Sequence, residues 1–249
     1  MIVQSPSHVR FSAALPGILA GEEARAGDAA RIPGWAAQHT AALDATLAPG
    51  LPLVGLALGR EAGPPGATPD LTALGGRPIY RPFLAYALAR CGFHHAAIRA
   101  LADPLAGADS AVGVWWGLTL AATGQPTRVF QDLLLRQRPT GEFFPAGRYD
   151  SPDLHWYDEL VVLHAVATRA AHTADAALLA AADRAARFHT EETQPDHATS
   201  QPWAIHAFCR SDQTLPLAEL LLHGALAQNA GRLDAIGRIL LADAVMCLA

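Results

Sequence analysis

The strongest constraint on what this chain can fold into is an internal repeat. Four segments open on an aromatic residue and continue with small ones. They start at Tyr80, Trp115, Trp156 and Trp203, spaced 35, 41 and 47 positions apart, about the length of one helical hairpin. Each is followed by a break and then by a second, more amphipathic helix. These second helices are expected at His95–Leu101, Arg128–Arg136, Ala174–Phe188 and Leu215–Leu226. An earlier pair is expected at Trp35–Leu47 and Leu51–Arg60, with a closing helix over Leu233–Leu248. One helical pair cannot bury both of its faces alone, so such units must stack on their neighbours.

The fold class that follows is all-α. Gly and Pro clusters cut the chain at fairly even steps, and few alternating Val-, Ile- or Thr-rich runs remain to make strands. Two geometries fit: hairpins closed into an α/α toroid, or an open α-solenoid. Closure needs inner helices that converge, which selects small residues, and Ala supplies 53 of the 249 positions. We therefore expect a single toroid-like domain over 1–249, with an irregular loop near 59–78. In a toroid the starts of the inner helices surround one end of a central funnel. The four aromatic openings would line that mouth, or serve as core plugs.

Charge narrows the function classes. All 18 basic residues are Arg, the net charge is −5, and the arginines are scattered, which argues against a nucleic-acid partner. No run of about 18 uncharged apolar residues occurs, so no membrane-spanning helix is expected. Cys91, Cys209 and Cys247 are too few and too far apart for a disulfide framework, which suits a reducing compartment. A cytoplasmic protein is the expectation. The alternative is export through residues 1–26, where the apolar stretch Phe11–Ala20 follows Arg10. Oligomeric state is not legible in the sequence.

Two polar clusters stand out on this bland background. The first is Arg148-Tyr149-Asp150-Ser-Pro-Asp153-Leu-His155-Trp156-Tyr157-Asp158-Glu159. Asp153 is a reasonable N-cap, and the helix dipole favours Asp158 and Glu159 in a first turn. Functionally, His155 with Asp158 would form an acid/base pair. His155 with Glu159, at i and i+4, is a spacing that holds a divalent metal ion. The second cluster is Asp196-His197-Ala-Thr199-Ser200-Gln201-Pro202-Trp203-Ala-Ile-His206, where Ser200 or Thr199 reads as an N-cap and Pro202 as a first-turn residue. His164 and His206 read as satisfied interior histidines, and Glu142 as a solvent-facing turn acid. No GxGxxG, P-loop or GxSxG motif occurs.

At Leu133-Leu-Leu-Arg-Gln137-Arg-Pro-Thr-Gly141-Glu-Phe143 the chain resembles the QW motif of the terpenoid cyclase and protein prenyltransferase superfamily. Gly141 would permit a turn, Phe143 would fold back on Gln137, and the Gln137 amide would bond backbone groups freed between adjacent hairpins. Phe143 stands where the motif has Trp, and Asp132 where it has an aromatic. The superfamily's DxDD, DDxxD and DxC motifs do not occur. The resemblance implies an α/α toroid with a hydrophobic small-molecule ligand.

The resulting expectation is a small-molecule-binding or catalytic protein. Trp115, Trp156, Tyr157, Gln201, Trp203 and His206 would contact ligand. His155, Asp158, Glu159, Asp196 and His197 would carry proton transfer or a metal. Alternatives are a carbohydrate-active α/α barrel using paired carboxylates, and a non-catalytic interaction scaffold.

Overall fold

In a computed structural model the chain is all-α, with no strand among the described residues. Those residues are 10–15, 17–18, 80–90, 107–145, 147–193, 195–228, 231, 233 and 235–248. Cys91, the helices expected at Trp35–Leu47, Leu51–Arg60 and His95–Leu101, and the loop at 59–78 lie outside them. The chain divides into two compact units, Ala30–Val129 and the remainder, Met1–Ala29 with Phe130–Ala249.

In the first unit, α1 (Tyr80–Arg90) packs on α2 (Ala111–Ala122). Ser110 caps α2 by accepting from the Gly113 N–H. Small residues let the backbone come close. A Cβ on Gly113 would meet the Gly107 carbonyl oxygen at 2.1 Å, and one on Gly117 would meet Val129 at 2.7 Å. Trp115 is fully buried, in edge-to-face contact with Phe83 and Tyr86 at 5.3 and 5.5 Å. The Thr119 hydroxyl, also buried, reaches the Pro82 carbonyl 3.1 Å away and so ties the two helices together.

The second unit follows the expected hairpin order: α3 (Val129–Arg136), α4 (Pro152–Thr173), α5 (Ala176–Phe188), α6 (Ile205–Phe208), α7 (Leu215–Gln228) and α8 (Ala235–Leu248). A π turn, His189–Thr193, extends α5, and a 3-10 turn covers Pro195–Ala198. At 22 residues, α4 is about 33 Å long and is buried on most sides from Leu160 to Ala170, as a central helix must be. By contrast, α5 buries one stripe, Leu178, Ala181, Ala182, Ala185 and Ala186, at helical spacing. Asp175 caps it by accepting from the Ala177 and Leu178 N–H groups.

Helices α4, α6 and α8 touch one another, with α5 packed on α4 and α7 on α6. A buried polar knot sits where these three helices meet. Asp243 of α8 accepts from the Thr168 hydroxyl at 2.9 Å and faces His164 Nε2 at 3.3 Å, both on α4. His206 Nε2 of α6 lies 3.2 Å from the same hydroxyl. Since Thr168 donates to Asp243, His206 Nε2 must carry the proton in that contact. The Ala204 N–H donates to His164 Nδ1 at 3.0 Å, leaving Nε2 as the protonated nitrogen facing Asp243. Ala204 is held at φ +57, a left-handed conformation that costs an alanine on the order of 1 kcal/mol.

Three helix starts differ from expectation. Ser151, rather than Asp153, precedes α4, because Pro152 has its φ preset for the first helical position. Asp158 and Glu159 consequently fall in the second turn. Trp115 lies a full turn inside α2. After Trp203 there is only the four-residue α6, because the left-handed Ala204 interrupts the helix before Ile205. Thr199 does not cap a helix there; its hydroxyl accepts from the Gln201 N–H in a local turn, at 2.9 Å.

Candidate functional site

The start of α4 meets the loop 138–149 and the π turn after α5, and their polar groups converge. The loop is shaped by Gly141 at φ +120, where a Cβ would lie 2.6 Å from the Arg184 carbonyl oxygen of α5. Gln137 fixes it from the side. Its amide donates to the Gly141 and Ala181 carbonyls, each at 2.9 Å, and its oxygen accepts from Arg184. The bond to Ala181 joins the loop to the neighbouring hairpin.

So anchored, the loop turns the Phe143 and Phe144 N–H groups toward Glu159. Both donate to its carboxyl, at 2.7 to 3.1 Å. Glu159 is fully buried and therefore serves no role in a solvated first turn. Burial pushes its carboxyl up to about 8, even though the two backbone donors favour the ionised form. His189, the first residue of the π turn, places Nε2 3.8 Å from Glu159 and Nδ1 3.0 Å from the Thr193 hydroxyl. Burial drives His189 down to about 3, and neighbouring His155 acts in the same direction. Near neutral pH the pair is mostly a carboxylic acid beside a neutral imidazole.

His155 completes the cluster. It is 4% exposed, and neither ring nitrogen has a hydrogen-bond partner. Its Nε2 faces Glu142 Oε1 at 4.0 Å. Glu142 is buried, against the expectation of a solvent-facing acid, because its other oxygen accepts from Arg138 at 2.8 Å and Thr140 at 2.9 Å. Burial lowers His155 below the ordinary histidine range, opposed by Glu142 and Asp158. Asp158 itself accepts from the Tyr149 hydroxyl, and Tyr149 is pushed up to about 12 by burial and by that bond.

A concavity of about 500 Å³ lies alongside, lined by Pro139, Thr140, Arg184, Arg187, Phe188, Glu191 and Glu192. Two contacts link it to the cluster. Thr140 bonds Glu142, and half-buried Trp156 touches both Phe188 (6.4 Å) and His155 (4.7 Å between ring centres).

Of the expected site residues, this region brings together His155, Trp156, Asp158 and Glu159. Tyr157 points elsewhere, edge-on to the buried Trp203 at 6.2 Å, and Trp203 in turn packs against His164 of the polar knot. His206 belongs to that knot, Gln201 is buried, and Trp115 lies in the core of the other unit. The side chains of Asp196 and His197 lie outside the described residues. Among the described residues no three His, Cys, Asp or Glu side chains are grouped so as to hold a metal ion. The His155–Glu159 spacing does not make one, since the Glu159 oxygens are engaged by backbone N–H groups.

Three participants carried no usable signal in the sequence. His189 lies 34 positions beyond His155 at the end of an amphipathic helix. The N–H donors Phe143 and Phe144 belong to residues whose side chains say nothing of that role. No helix among the described residues is long and apolar enough to cross a membrane. Compared with known protein families, curated proteins and solved structures, the chain matches none.

Proposed function

We propose that the protein is an enzyme performing general acid–base chemistry on a small molecule that reaches His155 by way of the groove beside α5. The observation that carries this reading is His155, buried, bonded through neither nitrogen, and 4.0 Å from the Glu142 carboxyl. An unsatisfied buried polar group costs about 1–3 kcal/mol, and His155 carries two such atoms next to a carboxylate and close to a groove.

The roles follow from the local chemistry. Neutral His155 accepts a proton from the substrate, and the adjacent Glu142 offsets the imidazolium charge. Glu159, held mostly protonated, supplies a proton with His189 beside it. Arg138 and Thr140 keep Glu142 oriented, and Trp156 offers an aromatic face between the groove and His155. The α/α-toroid arrangement remains part of this proposal, as does its kinship to the terpenoid cyclases and prenyltransferases. Its support is that α4, α6 and α8 touch one another while α5 packs on α4 and α7 on α6, together with the Gln137 amide bridging two hairpins.

The test is to incubate the purified chain with a metabolite extract and follow mass changes. The expected result is consumption of at least one compound, with that conversion reduced about a hundredfold or more in His155→Gln and Glu142→Gln. An unchanged extract, or conversion that both variants retain, would overturn the acid–base reading.

A further inference from the structure

The groove's charges are segregated along one helical run, and this narrows the ligand class. Positions 184, 187, 188, 191 and 192 recur at helical spacing and share one face of α5 and its π-turn extension. Arg184 and Arg187 stand at one end, Glu191 and Glu192 at the other, and the Phe188 ring lies between them. Arg184 is tethered by Gln137, and Glu191 accepts from Gln213. Arg187 and Glu192 form no ion pair among the described residues.

Local helix energetics do not account for the acids. At the C-terminal end of a helical run the dipole favours cations and penalises carboxylates. Arg187 suits that position, whereas Glu191 and Glu192 do not. A volume of about 500 Å³ falls in the range of small-molecule sites. An anion alone would be repelled by the two acids, and a cation alone by the two arginines.

We propose that the groove binds a small zwitterion, its anionic group at Arg187, its ammonium at Glu192 and its apolar middle on Phe188. From the rise per residue, the two charged positions are roughly 6–8 Å apart along the axis. With both side chains reaching outward from those backbone positions, an ω-amino acid with a chain of several methylenes matches the spacing, whereas the charges of an α-amino acid lie closer together. The inference rests on the groove being the substrate's entrance, and it names the substrate class.

Isothermal titration calorimetry with the full chain tests it, using the series from glycine through δ-aminovalerate to ε-aminocaproate, with valerate and pentylamine as singly charged controls. The expected result is an affinity maximum at the longer ω-amino acids, roughly fivefold or more above either control. Arg187→Glu and Glu192→Arg should each lower δ-aminovalerate affinity by a similar factor, and the double reversal should restore it. No binding across the series, equal binding of a control, or single reversals without effect would each overturn the proposal. Binding retained without conversion of any compound would therefore refute only the acid–base reading, and conversion without zwitterion binding only this one.

Discussion

Helix α4 carries two buried imidazole–carboxylate clusters, and they differ in how the histidine that α4 supplies to each is bonded. At the polar knot, His164 engages both ring nitrogens, and Thr168 bonds Asp243 while also meeting His206. The groups come from three helices, so the network holds those helices in register. At the start of α4, His155 bonds through neither nitrogen, and its carboxylate neighbour stands at 4.0 Å. The first cluster is built to hold a structure. Each cluster leaves an imidazole nitrogen unbonded, Nδ1 of His206 in the first and both nitrogens of His155 in the second, and the second adjoins a groove. Residue type does not separate the two; the bonding of the α4 histidine does, His164 through both nitrogens and His155 through neither.

That contrast breaks first at Asp243. Asp243→Ala leaves His164 and Thr168 without their shared buried acceptor, and should cost about 3–5 kcal/mol in urea unfolding. A cost below about 1 kcal/mol would show that the knot does not hold α4, α6 and α8 together. Gly141→Ala should come next, at about 2–4 kcal/mol, since it combines a φ of +120 with a 2.6 Å approach to the Arg184 carbonyl. The same variant should disturb the candidate site, because the loop it distorts delivers the Phe143 and Phe144 N–H groups.

The pH dependence of stability sharpens the comparison further. Glu159 is raised from about 4.5 to about 8, so the native state holds a proton that the unfolded chain releases. Its contribution is full below pH 4.5 and declines as pH rises toward 8. His189, lowered to about 3, works oppositely: the unfolded chain takes up the proton, and stability rises with pH from about 3 to 6.5. The two slopes offset one another between about 4.5 and 6.5. Above 6.5 the Glu159 decline stands alone, at up to about 1.4 kcal/mol per pH unit. Unfolding free energies at pH 6.5 and 8 should show the decline in the native protein and its absence in Glu159→Gln.

The smallest effect carries an unusual sign. His155→Leu removes a buried group that makes no hydrogen bond, so stability should stay level or rise by up to about 1 kcal/mol. His164→Leu, which removes a bonded histidine from the knot, should lower it. If both variants destabilise equally in the same unfolding assay, the distinction between the two clusters fails.

Much of the secondary structure was legible in advance, for a local reason. Apolar residues at three- and four-residue spacing, broken by Gly and Pro, announce helices, and α3, α5, α7 and α8 lie close to where that pattern puts them. Boundaries turned on single residues: Pro152 moved the start of α4 upstream, and the left-handed Ala204 shortened α6 to one turn. The Gln137 amide, expected to bond backbone freed between hairpins, does so, donating to the Gly141 and Ala181 carbonyls.

The site was legible only in part. His155 and Glu159 stood out because polar residues concentrate in 148–159 against an Ala- and Leu-rich chain. Their partners did not stand out. Spacing along α4 suggested that His155 acts with Asp158 or Glu159, whereas each group faces a residue from elsewhere, Glu142 for the first and His189 for the second. Periodicity reports which residues share a helix face, and sequence alone therefore determined the helices, their hairpin order and where charge is scarce. Which buried groups meet depends on how separate segments pack. Only the tertiary structure decided that Glu142 turns inward, that two backbone N–H groups hold Glu159, and that His155 is left with its nitrogens unbonded.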